Sequence, residues 1–176
     1  VLALRLSASD CLRHDPPIQV LGTGQVVEVE ALVRCERPTR GLVVPVDLMS
    51  IAEETGLIMP IGQWVLEEAC RQVAAWRMTY QVDPPLMVSV NISPRQFQQS
   101  DLVECVKRAL HESGLPATGL MLEITEGAIM RDVEPTIATL WRLKELGIQL
   151  AIDACGPAYS SPALLQRPPL HVFNIA

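Results

Sequence analysis

The chain has 176 residues, 49% of them hydrophobic, and a formal net charge of −6. That length and apolar content support one domain with a substantial buried core. The acidic balance excludes a broad nucleic-acid or membrane-binding surface, which needs a basic stripe to neutralise phosphate.

Apolar runs such as GLVVPV and PLMVSV fall far short of the roughly 20 residues that span a bilayer. The first residues also lack the charged-then-apolar order of a signal peptide, so a soluble, cytoplasmic protein is expected. The first thirteen residues, 1–13, are poorly patterned, and a single domain is expected over 14–176. From there strand-like and helix-like runs alternate, an order that reads as α/β. Strands are expected at IQVL (18–21), VVEVEALV (26–33), LMVSVNI (86–92), LMLEIT (120–125), IQLAI (148–152) and HVFNI (171–175). Gly22-Thr23-Gly24 separates the first two as a hairpin-type turn, which predicts that the sheet begins antiparallel.

The helices carry their own punctuation. In PIGQWVLEEACRQVAAW, residues Ile61, Trp64, Val65, Ala69, Val73 and Trp76 recur every three or four positions and form one apolar stripe that should pack on the sheet. Ser93-Pro94 sets an N-cap before a first-turn proline, and DLVE (101–104) has the capping-box pattern, with Gly114 closing the helix it opens. From about Glu134 to Leu146 a further helix places Ile137, Leu140 and Trp141 on one side, with Gly147 as its C-cap. The three tryptophans all sit at core-like spacing, so an aromatic ligand platform is not expected.

Four strands finish on or just before an oxygen-bearing side chain: Glu30, Asn91, Glu123 and Asp153. The last three recur about thirty residues apart, the length of one βαβ unit, so they occupy equivalent places in successive strands. Three carboxylates and an amide make a hard, oxygen-only donor set suited to Mg2+, Mn2+ or Ca2+ rather than zinc or copper. Taken one at a time, each is equally explained as a polar strand end reaching solvent. The cysteines Cys11, Cys35, Cys70, Cys105 and Cys155 stand singly, so reduced thiols are expected rather than a zinc site or disulfide scaffold. His14, His111 and His171 show no metal or triad spacing.

The segment VEVEALVRC contains Glu30-Ala31-Leu32 and resembles the signature of the EAL domains, bacterial phosphodiesterases of cyclic di-GMP. The resemblance continues through PVDLMSIAEETGLIMPIGQWVLEEACRQVAAW, VSVNISPRQF, LMLEITEGAIMRD and LKELGIQLAID, roughly residues 17–153. It implies a TIM-like (β/α) barrel, here incomplete with about six of eight strands, whose strand ends hold divalent metal beside the scissile phosphate. By the same resemblance Glu30, Asn91, Glu123 and Asp153 are the metal ligands. Arg34, whose planar fork suits phosphate, and Leu32 are ligand-binding, and Glu126 braces the loop after Asp153.

The sequence also departs from the family pattern. Where active members resemble Asp-Asp-Phe-Gly-Thr-Gly, Asp153 is followed by Ala154, Cys155, Gly156 and Pro157, so the carboxylate for a second metal is absent. Asn174 and Ala176 stand where the family has a lysine and an aspartate, and Pro16 stands where it has a glutamine. The family's downstream glutamate and last two strands would lie beyond Ala176. The expectation is a degenerate EAL-type domain that binds or senses cyclic di-GMP with weak Mg2+ or Mn2+. Its alternatives are a working phosphodiesterase yielding linear pGpG, and a ligand-free remnant. The apolar strand HVFNI at an open sheet edge predicts a homo-oligomer or a covering partner domain.

Overall fold

The computed structural model describes residues 12–19, 25–33, 35–37, 41–43, 45–131, 133–153 and 172–174, with side chains over 25–33, 49–125, 127–129 and 133–152. In chain order the elements are strands β1 (Leu12–Gln19), β2 (Val26–Val33), β3 (Cys35–Arg37) and β4 (Gly41–Val43), then helices α1 (Pro45–Thr55) and α2 (Ile58–Thr79). Strand β5 (Met87–Ile92), helices α3 (Pro94–Phe97) and α4 (Leu102–Ser113), strand β6 (Leu120–Thr125), helices α5 (Glu126–Arg131) and α6 (Val133–Glu145), and strands β7 (Gln149–Asp153) and β8 (Val172–Asn174) follow.

Six strands form one sheet in the order β1-β2-β5-β6-β7-β8. Strand β1 runs antiparallel to β2, as the hairpin predicted, and the remaining neighbours are parallel. Helices connect the parallel strands from β2 to β7, the arrangement of a (β/α) barrel wall. The first strand lies earlier than expected, at Leu12–Gln19 rather than 18–21, and Val20 to Gly24 lie outside the described residues. Pro16 and Pro17 hid it, since proline removes a ladder donor. The sheet accommodates them in a bulge: between Asp15 and Ile18 the register slips against Glu30 and Glu28. The short hairpin β3–β4 was not foreseen, because three-residue strands carry too little alternation to be read.

Within the parallel strands, side chains alternate between two faces. One face carries Val88, Val90 and Ile92 of β5, Leu120, Leu122 and Ile124 of β6, and Leu150 and Ile152 of β7, all fully or almost fully buried. It packs against Ile61, Val65, Ala69 and Val73 of α2, and against Val103, Val106, Leu140 and Leu143 of α4 and α6. Each such aliphatic side chain contributes about 1.5–3 kcal/mol on burial. The predicted stripe of α2 is thus the buried one, with Trp64 and Trp76 packed at its margin.

The helix ends follow the sequence punctuation in part. Ser93 caps α3 in a full capping box with Gln96, and Gly114 ends α4 in the left-handed region at φ +70°, its N–H donating to Leu110 at 3.0 Å. Asp101, by contrast, makes no side-chain cap, and Glu104 bonds Lys107 at 2.8 Å instead of reaching back. Trp141 also departs from expectation. It is 48% exposed, with Lys144 Nζ 5.6 Å from its ring centroid, because its position lies a quarter-turn beyond buried Leu140. At the far end of α2, Arg77 lies over Gly119 and donates from Nε to the Leu86 carbonyl at 2.5 Å, tying the helix to the entry of β5.

Candidate metal and ligand site

The second face of the same strands carries the polar side chains singled out in the sequence. Strand pairing sets Glu30 opposite Ser89, Asn91 opposite Glu123, and Thr125 opposite Asp153. Glu30, Ser89, Asn91, Glu123 and Thr125 therefore project from the face opposite the aliphatic layer, and the backbone positions of Glu30, Asn91, Glu123 and Asp153 stand toward the carboxyl ends of four adjacent parallel strands. In barrels this end is where functional groups collect.

Two of the expected ligands touch. Asn91 Nδ2 donates to Glu30 Oε1 at 2.7 Å, across 61 positions of sequence. The amide's oxygen is its second polar end, an acceptor of the type that ligates a cation or receives a donor. Asn91 is exposed, Glu30 half-buried, and Glu123 only 6% exposed. A carboxylate buried that deeply needs partners, and Glu123 has them. Asp153 ends β7 in register with Thr125 and with Asn174 of β8, but its side chain lies outside the described residues, as do Arg34, Ala154 and the side chain of Glu126. Glu126 opens α5 directly after β6, and Leu32 is half-buried near the end of β2. Among the described residues no three His, Cys, Asp or Glu side chains cluster as a metal site. The donor set is instead two described carboxylates and an amide, oxygen groups that fit a hard cation.

One layer further in, the same face carries residues that the sequence reading passed over: Glu28, Ser89 and Gln149. Burial pushes the Glu28 carboxyl above its ordinary 4.5, and the nearby Glu30 charge adds to the rise. The Ser89 hydroxyl works the other way. Ser89 is fully buried, and its Oγ makes no formed hydrogen bond among the described residues. Gln149 Nε2 lies 3.4 Å from Met87 Sδ across the interior. The signal for these residues was the period of two, counted back from Glu30 to Glu28 and from Asn91 to Ser89.

The profile of the EAL domain family matches residues 10–176. The chain belongs to the EAL domain family. It is 40% identical over 162 residues to MucR of Pseudomonas aeruginosa, a bifunctional diguanylate cyclase/cyclic di-GMP phosphodiesterase, a match covering 92% of this chain and 23% of that protein. Among solved structures, the MucR phosphodiesterase in complex with c-di-GMP superposes with a TM-score of 0.85 at 38% identity, covering 92% of this chain and 64% of that one. The EAL enzyme Bd1971, bound to cAMP and cyclic di-GMP, gives a TM-score of 0.86 at 29% identity, over 94% of this chain and 45% of that one. The chain spans 18–24% of the length of the first curated relatives it matches. The EAL fold confirms the barrel-type architecture expected from the sequence. No helix among the described residues is long and apolar enough to cross a membrane.

Proposed function

We propose that this EAL domain recognises cyclic di-GMP at the strand-end site, with Mg2+ or Mn2+ held by Glu30, Asn91, Glu123 and Asp153, and that it binds the dinucleotide without hydrolysing it efficiently. The observation that carries this reading is the convergence of Glu30, Asn91 and Glu123: a 2.7 Å amide–carboxylate bond between the first two, and direct pairing of the last two on neighbouring strands. A cation there would supply Lewis-acid polarisation of a phosphate oxygen. Asn91 orients Glu30. Arg34, four positions beyond Glu30, would offer a bidentate fork to a second phosphate oxygen, Leu32 would contact the bound nucleotide, and Glu126 would brace the loop that follows Asp153.

Two departures from the family pattern support binding over turnover. Ala154 offers no ligand for a second metal, so the clamp on attacking and leaving oxygens is incomplete. Asn174, paired in register with Asp153, brings an uncharged amide to the position of the family's lysine. The competing reading, a Mg2+- or Mn2+-dependent phosphodiesterase yielding linear pGpG, is favoured by the activity named for MucR and by retention of all four ligand positions.

Calorimetric titration with Mn2+ and then cyclic di-GMP, alongside chromatography for the linear product, tests both. Heat in the wild type that disappears in Glu123→Ala, without product, supports a binding domain. Product at about 1 s⁻¹ or more establishes the enzyme. Equal absence of heat in both proteins overturns the site.

A further inference from the structure

The turn that follows Asn91 is held by a clamp that reaches it from the helix layer. Asn91 and Ile92 end β5, and Ser93 is the N-cap of α3. Gln96 Oε1 accepts from the Ser93 N–H at 3.2 Å and from Ser93 Oγ at 2.9 Å, while the Gln96 N–H donates to Ser93 Oγ at 3.3 Å. Both residues are buried, Ser93 at 9% and Gln96 at 6% exposure. A glutamine side chain has enough rotamer freedom that burying it in one geometry requires a wall. That wall is α2. A Cβ built on Gly62 would lie 1.9 Å from Gln96 Nε2 and 2.4 Å from its Cδ, so the amide rests directly on the Gly62 backbone, where any other residue would displace it. Phe97, 4% exposed, pins the next position of α3 into the core.

We infer that Gly62, Ser93 and Gln96 form a positioning clamp that fixes the chain immediately after Asn91 and thereby aims the Asn91 amide at Glu30 and at the site. This rests on the reading of Asn91 as a site residue, and it adds residues on a different element that set its geometry. An apolar cavity of about 200 Å³ borders both Asn91 and Gln96, with Leu32, Ile58, Ile61 and Gly62 in its lining. Without the clamp, the turn has room to shift toward that space.

The test uses the whole chain and four variants: Gly62→Ala, Gln96→Ala, Ser93→Ala and Ser93→Thr. Gly62→Ala is the decisive one, since alanine favours the helix over glycine and the atoms nearest its methyl all belong to Gln96. Two readouts are taken beside the melting temperature: the side-chain amide cross-peak of Asn91 in ¹⁵N correlation spectra, assigned by its loss in Asn91→Ala, and the Mn2+ affinity. The clamp predicts that Gly62→Ala, Gln96→Ala and Ser93→Ala shift the Asn91 cross-peak and lower its protection from exchange. Mn2+ binding should weaken about fivefold, the size of one lost hydrogen bond, and Ser93→Thr, which keeps the hydroxyl, should restore both. An unmoved Asn91 cross-peak in Gly62→Ala and Gln96→Ala, whatever the melting temperature does, overturns the clamp. If the cross-peak moves but the wild type binds no Mn2+, the clamp stands and the metal reading of the site fails.

Discussion

Replacing Asn91 by alanine separates stability from ligand chemistry in a single position. The side chain is exposed and donates one hydrogen bond, 2.7 Å long, to the half-buried Glu30 carboxylate. Hydrogen bonds to charged groups reach about 1.5–3 kcal/mol when buried, and solvent at Asn91 reduces this to about 1 kcal/mol or less. A domain of this size shifts its melting temperature by about 2–4 °C per kcal/mol, so Asn91→Ala should melt within about 4 °C of the wild type. Its effect on cation binding should be much larger, because the substitution removes an oxygen donor and also frees Glu30 to leave the shared geometry. Loss of a group that orients a ligand weakens metal binding about 10–100-fold. Differential scanning calorimetry and Mn2+ titration on the same preparation measure both quantities. A wild-type affinity retained in Asn91→Ala would refute the role of the pair, and a fall of more than about 8 °C would show that Asn91 supports the fold instead.

Three further outcomes are expected. Burial pushes the Cys70 thiol up from 9.0 to about 12, so above pH 9 the unfolded chain releases a proton that the folded one keeps. Chemical denaturation should therefore show stability intact below pH 9 and falling by about 1.4 kcal/mol per unit toward pH 12, a component absent in Cys70→Ala. Glu28 titrates above 4.5 in the folded state, so its favourable contribution is present below that value and lost as pH rises through the raised one. Glu28→Gln should be at least as stable as the wild type at pH 8, and a marked loss there would show that the charged form is needed. Expressed as these 176 residues, the chain should scatter light as a dimer or larger, since among the described residues β8 pairs only with β7; a monodisperse monomer at high micromolar concentration contradicts this.

The long, strongly periodic elements were legible in the sequence. The α2 stripe from Ile61 to Val73 and the strands carrying Asn91 and Glu123 could be placed because burial on one face imposes a period that the order of apolar residues reveals. What escaped had a physical reason in each case. The prolines of β1 disguised a strand that tolerates them at the sheet edge. Asp101-Leu102-Val103-Glu104 has the letters of a capping box without its bonds, since Glu104 finds Lys107 instead. Trp141 lies one position from the buried stripe, and a single helical step of 100° decides burial. In the candidate site, the strand-end positions of Glu30, Asn91 and Glu123 were readable, whereas the bond between Asn91 and Glu30 joins strands 61 positions apart and needs the sheet register to be known. The role of Gly62 was invisible, because it depends on what lies against a position that has no side chain.

The division of each parallel strand into two faces bears on how such a domain can change over generations. On β5, positions 88, 90 and 92 hold the aliphatic layer while 87, 89 and 91 lie on the opposite face, that of the proposed site; on β6, 120, 122 and 124 are set against 121, 123 and 125. Selection for folding and selection for chemistry therefore fall on interleaved residues that seldom coincide. A lineage can drift at the second set, exchanging a carboxylate or a lysine for something inert, and still inherit an intact scaffold for recruitment to another role. Conversely, the aliphatic set is constrained whether or not the domain retains any activity. Variant libraries screened once for solubility and once for nucleotide binding should show the same strands sensitive at alternate positions, out of phase by one residue.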